Sequence, residues 1–115
     1  MSVSNLSGNQ KRRMKSASRL YAVQALFQME ASSQPIDVVL KEFEEHRMGA
    51  EVDGIRLEDG DLNHFSQVVA GAVNNQARID QMTDRALVAK WPIGRIDPTL
   101  RALFRAAGAE FLSLI

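Results

Sequence analysis

Apolar residues recur every three or four positions along most of the chain, which is the spacing of one face of an α-helix. The pattern predicts a first helix over residues 16–30, with Ser16 or Ser18 as its N-cap. The pattern breaks at Pro35 and resumes in a second predicted helix over residues 36–46. The first half of the chain therefore predicts two amphipathic helices.

The second half of the chain predicts three further helices. Residues 48–60 hold three glycines and scattered acids, which indicates a loop, and Asp61 is a good N-cap for the helix that follows. Residues 74–76 divide that helix from the next, which ends at residues 91–94. Asp97 followed by proline is the arrangement that begins a last helix. No segment alternates with the period of two that half-buried strands show, so we expect an all-α bundle of about five helices.

Composition narrows the class of protein. A chain of 115 residues predicts one domain, and the absence of cysteine excludes disulfides and cysteine-ligated zinc. With only two histidines, we expect no metal site. No run approaches the roughly 18 apolar residues of a membrane span, and the N-terminus lacks the apolar core of a secretory signal. We therefore expect a cytoplasmic protein with no membrane contact.

The formal net charge is zero, but the charges are unevenly distributed. Residues 1–20 carry five bases and no acid, residues 21–63 carry ten acids and three bases, and the remainder carries six bases and four acids. Such asymmetry suggests a basic segment with a polyanionic partner, although exposed tails are also often basic without one.

The basic stretch is the strongest candidate site. Lysine and arginine neutralise phosphates and release counterions, and arginine adds a planar fork that pairs with phosphate through two hydrogen bonds. Basic segments of this kind can order on RNA. We expect residues 1–15 to form a flexible basic arm ahead of a helical domain over residues 16–115. The predicted RNA-binding residues are Lys11, Arg12, Arg13, Lys15 and Arg19.

No catalytic constellation is evident. Phosphate-binding, dinucleotide-binding, nucleophile-elbow and zinc-protease motifs are absent from the sequence. His64 lies near Asp61 and reads most simply as a polar residue at a helix start. Asp80 and Asp84 share a helix face, but the flanking arginines indicate a solvated, salt-bridged surface. The prediction is a protein that is not an enzyme and needs no cofactor.

Three strings resemble the NusB family of transcription antitermination factors. The first is RLYAVQALFQME at residues 19–30, and the second is the D-x-x-x-F-S-Q-V-V-A-G-A string at residues 61–72. The third is WPIGRIDPTLRALFRAAGAEFL at residues 91–112. Their order and spacing resemble the family along nearly the whole chain from Lys11.

The resemblance implies a fold, a function and partners. The fold would be an all-helical RNA-binding bundle. The function would be to pair with NusE, a small-subunit ribosomal protein, and to bind the boxA element of nascent RNA. The pair would join the RNA polymerase elongation complex on ribosomal RNA operons. The basic stretch occupies the family's RNA-binding position, and Phe27 and Arg101 are placed at the NusE surface.

The chain also departs from the family pattern. The segment 49–60 is longer and more acidic, and Leu100 stands where an acid often precedes the arginine. The family's last two helices, with their V-x-[IL]-N-E stretch, do not follow Ile115, so we expect an incomplete bundle. Apolar surface should then be uncovered from Pro98 onward, which predicts a homodimer or a swapped oligomer.

Two other interpretations remain open from the sequence. Some ribosomal RNA cytosine methyltransferases carry a NusB-like RNA-binding domain ahead of the catalytic domain, and this chain resembles that domain too. A purely structural helical module with an incidental basic tail is the third interpretation. The terminal basic segment and the short chain favour the free-standing factor.

Overall fold

The computed structural model describes residues 7–87 and 96–114. In chain order its elements are α1 (Gly8–Ser32), α2 (Ile36–His46), β1 (Glu51–Val52), β2 (Ile55–Arg56), α3 (Leu62–Asn74), α4 (Gln76–Ala86) and α5 (Pro98–Ser113). The expectation of an all-α bundle with about five helices is confirmed. The predicted end of the fourth helix at residues 91–94 is wrong, because α4 ends at Ala86 and the Leu87 backbone is already extended. Residues 91–94 themselves lie outside the described residues.

The first helix begins eight residues earlier than the sequence pattern predicted. Ser7 is its N-cap: the Ser7 hydroxyl accepts from the Gln10 backbone N–H at 3.1 Å, and the Gln10 side chain accepts from the Ser7 N–H at 2.9 Å. This reciprocal capping box satisfies two donors that a helix start otherwise leaves unpaired. The expected flexible arm is therefore wrong from residue 8 onward, because polar capping begins the helix where apolar periodicity gives no signal.

Ser18 connects two helices and does not cap α1. Its side chain is fully buried in the middle of α1. The Ser18 hydroxyl donates to the Asp61 carbonyl at 3.0 Å and accepts from the Asp61 N–H at 2.6 Å. A buried hydroxyl that is satisfied in both directions costs little to bury, and here it ties α1 to the start of α3.

Three other helix boundaries follow the sequence signals. The Asp61 carboxylate accepts from the His64 N–H at 3.0 Å, so the predicted N-cap of α3 is confirmed. The Asp97 carboxylate accepts from the Thr99 N–H at 2.8 Å with Pro98 at the first helical position, as predicted for α5. Asn75 separates α3 from α4, which confirms the predicted division.

The acidic segment after α2 is an ordered hairpin, whereas the sequence indicated only a loop. Strands β1 and β2 pair antiparallel around Asp53 and Gly54, both of which have positive φ. The Tyr21 hydroxyl donates to the Glu58 carbonyl at 2.6 Å and anchors the segment to α1. Strands of two residues are too short to show the alternation by which strands are recognised in a sequence.

The core lies where α1, α3 and α5 pack against one another, with α2 closing one side and α4 the other. Phe43 of α2 is fully buried, stacks on Phe65 of α3 at 5.6 Å between ring centroids and meets Tyr21 edge-on at 6.3 Å. Gly108 lets α4 and α5 approach closely, since a Cβ there would lie 2.5 Å from Ile79. In this arrangement α1 packs against α2, α3 and α5, and its first turns have no buried residue.

One apolar face of α5 is uncovered, as the sequence predicted. Leu100, Leu103, Phe111 and Leu114 are all exposed, Phe111 by 57% and Leu114 by 83%. Positions 100, 104, 107, 111 and 114 follow the alternating spacing of three and four that lets one helix pack along another. These five positions, four in α5 and Leu114 at its C-cap, are called the α5 stripe below.

Candidate nucleic-acid interface

The first four turns of α1 carry a basic, solvent-exposed surface. Lys11, Arg12, Arg13, Lys15 and Arg19 are all exposed, and no acidic residue occurs in the chain before Glu30. Because successive residues of an α-helix are rotated by about 100°, four of the five bases fall within an arc of about 100°. We call this arc, made of Lys11, Arg12, Lys15 and Arg19, the basic face.

Arg13 stands apart from the other predicted RNA-binding residues. It is rotated by about 160° from Lys15 around the helix axis. The structure thus brings four of the five predicted residues onto one face and directs the fifth to the opposite side of α1. A single phosphate backbone running along the basic face would pass the other four bases and not Arg13.

The outer end of the basic face, at Lys11, lies at the N-terminal end of a helix, which adds to the positive potential there. Unpaired N–H groups and the helix dipole make that end attractive to anions. The same dipole makes cations unfavourable there, and the first turn of α1 contains no acid to offset them. A bound polyanion would therefore relieve a repulsion that the free protein retains.

Phe27 lies further along α1, in a shallow apolar groove. The groove has a volume of about 610 Å³ and is bordered by α1, α2 and the start of α5, with Leu20, Val23, Phe43 and Thr99 among its lining residues. The Phe27 side chain is 41% exposed. A half-exposed ring in a groove is an available contact for a partner, and it is the position that the sequence assigned to one.

Arg101 is placed differently from Phe27, because its side chain is mostly enclosed and engaged within the chain. It binds the Glu30 carboxylate through two nitrogens, Nε at 3.0 Å and Nη2, and its Nη1 donates to the Ile96 carbonyl at 3.1 Å. Arg105 donates to the same carboxylate at 3.2 Å. Glu30 therefore fastens α1 to α5 through two arginines.

Asp80 completes this network from α4. Arg105 Nε and Nη2 donate to the two Asp80 oxygens at 3.0 and 2.9 Å. The expectation that Asp80 belongs to a solvated face with Arg78 and Arg85 is wrong for Asp80, whose partner is Arg105 on another helix. Two parallel hydrogen bonds between a guanidinium and a carboxylate are stronger than a surface ion pair.

We predict that Glu30→Gln destabilises the fold in a pH-dependent way. The hydrogen bond from Arg101 holds the pKa of Glu30 below its ordinary value. A carboxyl whose pKa is lowered on folding contributes stability above its unfolded pKa and loses it as the pH falls through the folded pKa. The variant should lose about 1–2 kcal/mol at neutral pH, the scale of charge-assisted hydrogen bonds. Urea unfolding at pH 7 and at pH 3 measures both values.

The control for this prediction is Glu42→Gln, which removes the charge of a carboxylate 3.8 Å from Arg47. The new amide oxygen can still accept the hydrogen bond that Gln28 Nε2 donates to Glu42 at 2.7 Å, so only the ion pair is lost. That longer and more exposed pair should contribute little at either pH. If the difference in the free energy of unfolding between the wild type and Glu30→Gln were as large at pH 3 as at pH 7, the ionised carboxylate would not be the source of the stability.

The two histidines show no catalytic arrangement. His46 is exposed beside Glu45. The His64 ring is mostly enclosed, with Nε2 shielded from solvent and 3.5 Å from a Glu110 oxygen. Within residues 7–87 and 96–114, no group of three or more potential metal ligands converges. None of the helices there is long and apolar enough to cross a bilayer.

Sequence reasoning missed the acidic partners of the basic residues. Glu110 binds Arg19 across 91 positions of sequence, and Glu30 binds Arg101 across 71. Periodicity and local charge patterns concern residues three or four positions apart on one helix. They therefore could not predict ion pairs between residues so far apart in the sequence. The family motif could have pointed to Glu110, because its glutamate falls at the end of the third matching string.

Comparisons with known proteins point to one family. A family model described as the NusB family matches residues 16–115. A protein of Nitrobacter hamburgensis named transcription antitermination protein NusB is 45% identical over 102 residues, which are 89% of this chain and 64% of that protein. A Brucella abortus protein of the same name is 46% identical over 92 residues, 80% of this chain and 54% of that protein. The chain thus spans less than two thirds of each. No solved structure gives a significant match.

Proposed function

The chain belongs to the NusB family, and from that premise we propose that it binds RNA and acts in transcription antitermination. In this proposal it works in the bacterial cytoplasm, catalyses no reaction and needs no cofactor. With NusE it binds the boxA element of nascent ribosomal RNA and supports processive elongation by RNA polymerase. The relatives' shared name favours this function over that of a methyltransferase domain.

The observation that carries the RNA proposal is the basic face. Four exposed cations lie along one side of a helix whose N-terminal end also attracts anions. In the described part of the chain, only Arg19 of these four is engaged in an ion pair. Lys11, Arg12 and Lys15 can therefore meet phosphates without breaking internal contacts, and their counterion release would supply the affinity.

Phe27 supports the protein partner in this proposal. Its ring sits in the apolar groove beside the basic face, so one partner could fill the groove while RNA runs along the bases. Burying a half-exposed aromatic ring at the centre of an interface is a common source of binding energy. Arg101 would act on NusE through the α1–α5 junction that it fastens to Glu30, a role that stays a prediction.

A fluorescence-anisotropy titration tests the function. Labelled single-stranded RNA containing a boxA-like sequence is titrated with the full 115-residue chain, with and without NusE, beside a scrambled RNA of equal length. The proposal predicts binding that falls with salt and a preference for the boxA-like RNA that increases when NusE is present. Equal binding of both RNAs in the presence of NusE would contradict the assigned function and leave only polyanion binding.

We also predict that this chain self-associates through the α5 stripe. Burial of exposed apolar surface contributes roughly 25 cal/mol per Å², and the heptad-like spacing suits a second copy of the same helix. Phe111→Glu should shift the sedimentation coefficient from that of a dimer or larger species toward that of a monomer. Val52→Glu, at an exposed hairpin position, is the control and should leave the oligomer intact. A folded wild-type monomer at high concentration would contradict the prediction.

A further inference from the structure

Arg19 differs from the other bases of the basic face because a carboxylate of another helix holds it. Its Nε lies 2.7 Å from Glu110 Oε1 and 3.0 Å from Glu110 Oε2. Glu110 is on α5, near the end of the described chain, whereas Arg19 is in the fourth turn of α1. The pair therefore joins the basic face to the folded core at its inner end.

Glu110 is itself held in place. Its side chain is 27% exposed, and the same Oε1 that accepts from Arg19 lies 3.5 Å from His64 Nε2 on α3. That nitrogen is shielded from solvent and has no hydrogen-bond partner in the described part of the chain. His64 is positioned in turn by the Asp61 cap of its helix. Three helices thus restrict the carboxylate that Arg19 meets.

This geometry leaves the outer end of Arg19 available. Both Glu110 oxygens approach Nε, and within the described residues neither terminal nitrogen of Arg19 has a hydrogen bond. The Arg19 side chain is 51% exposed. The two terminal nitrogens of a guanidinium form a planar fork that matches two oxygens of a phosphate. Arg19 can therefore bind Glu110 and a phosphate at the same time.

We propose that Glu110 is a positioning residue for RNA: it fixes Arg19 so that the guanidinium fork projects along the basic face toward a phosphate. This inference rests on the proposed RNA-binding function and adds a residue to it. A long side chain that is already ordered loses less conformational entropy when it binds, so the fixed Arg19 would bind a phosphate more tightly than a mobile one. The carboxylate also repels the RNA, and the two effects oppose each other.

The sign of the net effect follows from the distances. Glu110 lies on the Nε side of Arg19, so the phosphate would meet the opposite end of the guanidinium and the two anions would be separated by it. Arg19 also offsets the carboxylate charge directly at 2.7 Å. We therefore expect ordering to outweigh repulsion, and removal of Glu110 to weaken binding of RNA.

The test uses the same labelled boxA-like RNA and the full chain. Glu110→Ala should weaken binding by about 3- to 10-fold, the effect of losing the order of one long side chain. Glu110→Gln retains an acceptor for Nε and should recover part of that loss. Arg19→Ala should weaken binding at least as much, and adding Glu110→Ala to it should cause no further loss, because the two residues act through one contact.

The double variant separates positioning from a merely structural role. If Glu110 only stabilised the fold, its removal would weaken binding equally in the Arg19→Ala background. Glu42→Gln is the control for losing a carboxylate of an ion pair elsewhere. Thermal unfolding checks that each variant is folded at the assay temperature. If Glu110→Ala is not folded, the comparison of Glu110→Gln with the wild type still tests the proposal.

The outcomes distinguish this inference from the function on which it rests. If both Glu110 variants bound the RNA as tightly as the wild type or more tightly, the positioning role would be overturned and RNA binding would stand. Equal losses in the Glu110 variants and in Glu42→Gln would also overturn it. Absence of RNA binding by the wild type would overturn both proposals at once.

Discussion

Replacing Lys11, Arg12 and Lys15 together with alanine should weaken RNA binding by roughly 10- to 100-fold at physiological salt. Each base that pairs with a phosphate of single-stranded RNA contributes about 0.7 to the slope of log K against log salt. Removing three of them should therefore reduce the magnitude of that slope by about 2. Anisotropy titrations of the variant and the wild type at four salt concentrations measure both quantities.

The helix supplies a sharp control for this prediction. Lys15→Ala removes a base of the basic face, and Arg13→Ala removes one from the opposite side of α1. Both are exposed, and both changes favour the helix, because alanine has the highest helix propensity. Lys15→Ala should weaken binding more than Arg13→Ala. Equal losses would mean that the RNA wraps α1 or that the segment acts as a diffuse charge.

Phe43→Ala should destabilise the fold by about 3–5 kcal/mol, the range for truncating a buried phenylalanine. The ring is fully buried and contacts the rings of Phe65 and Tyr21, and the Arg47 guanidinium lies 4.9 Å above its centroid. Domains of this size are stable by only about 5–15 kcal/mol, so the variant loses a large share of the total. Urea unfolding followed by circular dichroism at a fixed protein concentration measures the loss.

Phe27→Ala is the matched control for Phe43→Ala. It removes the same side chain from a position that is 41% exposed, so the loss of stability should be below about half of that at Phe43. A small effect of Phe43→Ala would mean that α2 is not an integral wall of the core. The same Phe27 variant should weaken NusE binding more than it weakens folding, because the ring is assigned to the partner surface.

Much of the fold was predictable because its signals are local. The 3.6-residue period predicted the five helices, and the short polar caps Asp61 and Asp97 marked helix starts within one residue. Capping works over three positions, so it is visible in sequence wherever the cap precedes an apolar run. At Ser7 the cap precedes a polar run instead, and the beginning of α1 was missed.

The site was predictable in part for the same reason. The basic stretch is a local property of charge, and the sequence identified all five bases. Which of them share a face depends on whether the segment is helical. The sequence predicted a flexible arm there, and so it gave no face to which the bases could be assigned. The ion pairs of Arg19 and Arg101 join residues far apart in sequence. Such pairs follow from packing, which no local pattern encodes.

The central claim is that RNA binds along the basic face of a helical α1, and mapping the contact by NMR tests it most directly. ¹H–¹⁵N spectra of the full chain are recorded during titration with boxA-like RNA, including the arginine Nε–H region. We predict the largest shifts at residues 8–20 and at the Arg19 Nε–H, with α4 and the hairpin unaffected. Shifts confined to α4, to the hairpin or to the α5 stripe, with residues 8–20 unchanged, would contradict the claim.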